Sequence, residues 1–158
     1  MKPLPHRYVV RLVAGPTGYA DALAGGRPAL RTAPPVEYDG PGDAWSPEHL
    51  LLASVSSCFL FTFRAVARTL QAPFLAVDAH AGGIVSRVGG VTRFTDIVIR
   101  ATVTAAAGAT VELLQRAIDK TTAHCLVSSS LATPVRVEAV LQAAGGSRSV
   151  DERLKRTA

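Results

Sequence analysis

The chain has 158 residues, 48% of them hydrophobic, 18% charged and 6% aromatic, with a formal net charge of +5. That length suits one domain able to bury about two thirds of its unfolded surface. The positive balance does not make a nucleic-acid binder: the basic residues are scattered, Lys2, Arg148, Arg153, Lys155 and Arg156 fall in the tails, and few aromatics are present to stack on bases.

Met1-Lys2-Pro3-Leu4-Pro5 leads into a strand pattern without the apolar core of a signal peptide, so the expectation is a cytoplasmic protein. In that compartment a structural disulfide is unusual, and paired cysteines are more often redox-active or metal-binding. Residues 8–14 predict a first strand, with Gly15-Pro16-Thr17-Gly18 as the turn after it. Residues 19–24 predict a weaker strand closed by Gly25-Gly26, and 29–32 a third, stopped by Pro34-Pro35. A loop over 36–45 follows. The simplest arrangement is a three-strand meander feeding a helix.

That helix spans 46–70. Ser46 can cap its first amides, Pro47 stands where a missing N–H costs nothing, and Glu48 meets the positive end of the dipole. Leu50, Leu51, Leu52, Val55, Phe59, Phe61, Phe63, Val66 and Leu70 make it apolar around most of its circumference, which predicts burial in a core or a subunit contact. A membrane span is not expected. The uncharged run over 50–63 is shorter than the roughly 18 residues required, and Arg64 and Arg68 follow it.

Two long strands, Phe74–Val88 and Val91–Ala105, are predicted next, joined by a tight turn at Gly89-Gly90. In the second, Ile97, Ile99, Ala101 and Val103 alternate with Val98, Arg100 and Thr102, the pattern of a sheet with one buried face. Thr110 caps a predicted second helix running to about Thr122. A short segment over 125–131 leads past Pro134 into a last strand, 135–141. We expect a single domain over 1–144 and a flexible tail over 145–158.

The chemistry-bearing residues are Cys58, in the middle of the first helix, and Cys125, where the second helix breaks into a new turn. They stand far apart in sequence, and the four histidines form no short metal motif with them, so neither a metal nor another cofactor is expected. Two readings stay open on residues alone. The thiols are inert, buried as small hydrophobes, or helix-start amides lower a thiol pKa and make it reactive. His124 tempts as a base, but neighbours in a helix point about 100° apart, which favours a surface or capping role.

Ser-Pro-Glu-His-Leu-Leu-Leu-Ala-Ser-Val-Ser-Ser-Cys-Phe, followed much later by Ala-His-Cys-Leu-Val-Ser-Ser-Ser-Leu, resembles the paired signatures of the OsmC/Ohr family, the osmotically induced protein C and organic hydroperoxide resistance proteins. The resemblance covers about 8–141. It implies an α+β OsmC-like fold, with antiparallel sheets around a long buried central helix and a second helix, in an intertwined homodimer with interfacial active sites. It implies that Cys58 is the peroxidatic thiolate that attacks an organic hydroperoxide and that Cys125 resolves the sulfenic acid to a Cys58–Cys125 disulfide. An external dithiol, lipoyl-type in the hydroperoxide-resistance branch, would then reduce the disulfide. Phe59, Phe61 and Phe63 would favour a greasy peroxide over hydrogen peroxide. No nucleic-acid or membrane partner is implied.

Two further site residues are expected with less direct support. The ten residues from Glu48 to Cys58 span about 15 Å of helix, so Glu48 serves the thiol only from a partner subunit, or else only stabilises its own first turn. The hydroperoxide-resistance branch carries a Gly-Gly-Arg turn after its first strand, and here Thr17 falls at the arginine position. Gly25-Gly26-Arg27 comes one strand later, so Arg27 is either only a turn residue or the first candidate for an activating cation, with Arg31 second and Arg64 a further candidate. The rival to a thiol peroxidase is a non-catalytic dimer that binds a small apolar or thiol ligand at the interface. A structural dimer with inert thiols is the third reading.

Overall fold

The computed structural model describes residues 3–143. The expected tail over 145–158 lies outside the described residues. The chain divides into two compact units, at 51/52.

The first unit is the expected meander. β1 (Arg11–Ala14), β2 (Ala20–Leu23) and β3 (Leu30–Thr32) pair antiparallel in that order. β1 starts three residues later than the sequence predicts. Its first residue, Arg11, faces Leu23, and the chain of β2 turns away beyond that point, so residues 8–10 have no ladder partner there. After β3 the chain makes one 3₁₀ turn at Val36–Tyr38 and returns at Trp45, whose carbonyl accepts the Ala33 amide at 3.1 Å.

α1 (Pro47–Leu70) begins as its sequence requires. The Ser46 hydroxyl accepts the His49 amide at 3.2 Å and the Ser46 carbonyl accepts the Leu50 amide at 2.9 Å, satisfying donors that a helix start leaves free. By length and composition alone α1 would also suffice to cross a bilayer, with a mean hydropathy of 1.8 in its most apolar stretch. Val55, Phe59, Phe63 and Ala67, four residues apart, are fully buried in protein.

The second unit holds the core. β4 (Phe74–Val88) and β5 (Val91–Ala105) form a long antiparallel hairpin, turned at Gly89 and Gly90 with φ of 59° and 82°, values that favour glycine. α2 (Val111–His124) follows, capped by Thr110, whose hydroxyl accepts the Leu113 amide at 3.2 Å. A single turn, α3 (Leu126–Ser129), precedes β6 (Val135–Gln142). β6 lies parallel to β5, so this sheet is mixed rather than wholly antiparallel. The reason is the helical crossover: a chain that leaves β5 through α2 returns in the same direction. Phe63 and Ala67 of α1, Val103 of β5, and Leu114, Ala117 and Ile118 of α2 pack together, and Phe63 meets Phe74 edge-on at 5.1 Å between ring centroids.

The expectation that α1 is apolar on most sides holds, but among the described residues its fully buried positions form one stripe. Phe61 remains 62% exposed.

Candidate thiol site

Both cysteines lie in the second unit and are brought together there. Cys58 is half-buried on α1 and Cys125 is 1% exposed, and neither is in a disulfide. Cys125 is at once the last cap of α2 and the first of α3, in an extended conformation (φ −70°, ψ 107°) that breaks one helix and starts the next.

A helix start leaves its first amides without acceptors. The amide of Val127 finds one in Cys58 Sγ, at 3.5 Å. Thr62, one helical turn beyond Cys58, places its Oγ1 4.0 Å from the same sulfur. Burial by itself pushes the Cys58 thiol up. The Val127 amide, the Cys125 side chain, the Thr62 hydroxyl and the Leu126 amide oppose it, and together they prevail, leaving the Cys58 pKa below the ordinary thiol value.

Cys125 moves the other way. Burial raises its pKa most, and hydrogen bonding to Cys58 and the charge of the Cys58 thiolate raise it further. The Ser128 hydroxyl, which donates to Cys125 Sγ at 3.2 Å, and the Ser128 amide pull against this without overcoming it. Of the pair, Cys58 is therefore the thiol that deprotonates first, and Cys125 the one that keeps its proton longer.

Other residues flagged by the sequence have different places. The Ser56 hydroxyl donates to the Leu52 and Ala53 carbonyls and the Ser57 hydroxyl to that of Ser54, so neither serves the thiol. Phe59 and Phe63 are core residues, and of the three phenylalanines only Phe61 is exposed. The Arg64 guanidinium lies 5.8 Å from the Phe61 ring centroid. His124 ends α2 on the surface. Among the described residues no cluster of three histidine, cysteine or acidic side chains could hold a metal.

In the first unit, Arg27 donates from Nη1 to the Gly25 carbonyl at 2.7 Å, closing its own turn. Arg31 stacks on Tyr19, 3.5 Å from the ring centroid, and pairs with Asp43 at 3.6 Å. Glu48, in the first turn of α1, is one of the residues lining a cavity of about 370 Å³ with Leu12, Pro34, Pro35 and Tyr38 among others, and its Oε2 is buried without a hydrogen-bond partner. Sequence reasoning missed the Val127 and Leu126 amides, Thr62 and Ser128. Thr62 had a signal in its four-residue spacing from Cys58, and Ser128 in its three-residue spacing from Cys125.

Known proteins carry the same arrangement of elements. An OsmC-like protein of unknown function from Vibrio cholerae superposes with a TM-score of 0.80 over 86% of this chain and 100% of its own, at 16% identity. An organic hydroperoxide resistance protein from Elizabethkingia anophelis superposes with a TM-score of 0.71 over 90% of this chain and 99% of its own, at 19% identity. At such identities the likeness is one of fold. In sequence, the uncharacterized protein YmaD of Bacillus subtilis is 25% identical over 107 residues, covering 66% of this chain and 71% of that protein. The family model described as OsmC-like protein matches residues 40–140, a span that includes Ser46, both cysteines and the short helical turn that follows Cys125. The chain, as its paired signatures led one to expect, belongs to the OsmC-like protein family.

Proposed function

We propose that this protein is a cytoplasmic thiol peroxidase that reduces organic hydroperoxides. The observation that carries the reading is the opposed setting of two neighbouring sulfurs: amides and a hydroxyl lower the pKa of Cys58, and burial raises that of Cys125. The Cys58 thiolate attacks the distal oxygen of the peroxide, the O–O bond breaks, and the alkoxide leaves as an alcohol after taking a proton. Cys125 then attacks the Cys58 sulfenic acid, water departs, and the Cys58–Cys125 disulfide forms. An external dithiol, lipoyl-type or another, returns both thiols. Membership of the OsmC-like family and the fold shared with an organic hydroperoxide resistance protein support the peroxide chemistry.

A homodimer belongs to the same proposal. A second copy would cover the apolar face that α1 leaves open around Phe61. Glu48 enters the scheme only from that copy, because it stands ten residues before Cys58 on the same helix. Arg27 is not required, since hydrogen bonds already hold Cys58 low.

The test is consumption of cumene hydroperoxide against hydrogen peroxide, with dithiothreitol or dihydrolipoamide as reductant and sedimentation of the same sample. One equivalent of organic peroxide should remove both thiols and form an internal disulfide. Cys125→Ser should stop at a sulfenic acid that dimedone traps. Both thiols surviving in the wild type would move the reading to the ligand-binding dimer.

A further inference from the structure

Ser128, Ser129 and Ser130 follow Cys125 in one turn, and their hydroxyls do different things. Ser129 donates to the Cys125 carbonyl at 2.9 Å and Ser130 to the Leu126 carbonyl at 2.8 Å, both ordinary bonds of a tightening helical turn. Ser128 alone of the three donates to a sulfur, Cys125 Sγ at 3.2 Å. We propose that Ser128 is the positioning residue of the resolving step, its hydroxyl orienting Cys125 Sγ and stabilising that sulfur as it becomes the nucleophile. This rests on the peroxidase reading.

The chemistry calls for such a group. Cys125 is buried, and a buried thiol gives up its proton reluctantly. While Cys58 is a thiolate its charge adds to that reluctance, which keeps Cys125 protonated as the site waits for peroxide. Oxidation turns Cys58 into a neutral sulfenic acid and removes the charge. What then acts on Cys125 is burial on one side and the Ser128 hydroxyl and amide on the other. In the step itself Cys125 Sγ forms the S–S bond to Cys58 Sγ, the S–O bond breaks, and hydroxide leaves as water with the Cys125 proton. No further oxidant is needed, since the peroxide has already taken two electrons from Cys58. The Ser128 O–H stays on Cys125 Sγ throughout and transfers nothing.

Two measurements on the full chain test this. In single-turnover rapid quench with one equivalent of cumene hydroperoxide, Ser128→Ala should form sulfenic acid at the wild-type rate within about twofold and close the disulfide about tenfold more slowly, the loss of one hydrogen bond to a charged group. Ser128→Thr, which keeps the hydroxyl, should restore closure to within about threefold of wild type. In Cys58→Ser, where Cys125 is the single cysteine, ultraviolet thiolate absorbance should show Cys125 titrating about one unit higher when Ser128→Ala is added. Closure unchanged in Ser128→Ala, no rescue by threonine, or a Cys125 titration that does not move would each overturn the assignment. If the wild type forms no sulfenic acid, the peroxidase reading fails, and the titration alone decides whether Ser128 holds the sulfur.

Discussion

Cys58 and Cys125 are the same residue in neighbouring positions, and burial pushes both thiols in the same direction. They nevertheless end on opposite sides of the ordinary thiol value. Cys58 sits in the middle of α1, where its own helix has no spare amides, and draws its donors from the first residues of α3. Cys125 caps that turn itself, so the amides one and two residues on point past it to its neighbour. What reaches Cys125 instead is a thiolate's charge, which raises its pKa, and a single serine that works the other way. The reactivity of a cysteine is thus set by which backbone it faces as well as by how deeply it lies.

The comparison breaks most completely if the two roles exchange. Cys58→Ser should bring peroxide reduction to the uncatalysed rate, because the remaining thiol, Cys125, has its pKa raised rather than lowered. In the same variant Cys125, relieved of the neighbouring charge and hydrogen bond, should titrate lower than it does in the wild type. Ultraviolet titration of wild type and variant checks the shift. Peroxide consumption persisting in Cys58→Ser would assign the attacking thiol to Cys125 and reverse the comparison.

Much of this was legible in the chain. The β4–β5 hairpin is readable because Gly89-Gly90 punctuates two long strand-like runs, the second of them alternating, and its bounds in the structure are those the sequence predicts. Ser46 and Thr110 announce both long helices through side-chain caps that the structure contains. The place of Cys125 between two helices follows from the break in the apolar pattern before Leu126. Helix-start amides as a cause of a lowered thiol pKa were legible, but that they fall on Cys58 rather than on Cys125 was not. The apolar neighbours of Cys58 on its own helix argue for a raised value, whereas the opposing donors are mainly backbone amides distant in sequence, and every residue type but proline carries one. The parallel pairing of β6 was hidden for a related reason: periodicity gives a strand's faces, while its direction depends on the crossover.

A finer measurement sharpens the contrast. Alkylation of Cys58 by iodoacetamide should accelerate as pH rises through a midpoint below about 8.5, the free-thiol value, and level off above it. The sign follows from the cause: donors stabilise the thiolate in the folded state, so deprotonation there needs a lower pH than in the unfolded chain. Unfolding in guanidinium should move the midpoint up. A folded midpoint at or above that of the unfolded chain would mean that burial outweighs the Val127 and Leu126 amides, and the peroxidatic role would lose its physical basis.

The smallest effect is expected at Arg27, which the sequence offered as the first candidate for an activating cation or else as a turn residue only. A guanidinium beside Cys58 would favour the thiolate, and each pKa unit gained would be worth about 1.4 kcal/mol. Arg27 spends its Nη1 donor on the Gly25 carbonyl at 2.7 Å and its amide on the Ala24 carbonyl at 3.0 Å. Arg31 is engaged with Tyr19 and Asp43. The groups that lower the Cys58 pKa are hydrogen-bonding partners, with no cation among them in the described residues. Arg27→Ala and Arg31→Ala should therefore each leave the alkylation midpoint of Cys58 within about 0.3 unit, a twofold change in thiolate population at most. An upward move of one unit or more in either variant would sink this account, since it would require a guanidinium at the sulfur in the working assembly. The amides of the Cys125 turn would then be auxiliary to a charge, and the contrast between the two thiols would rest on an arginine as well as on the backbone.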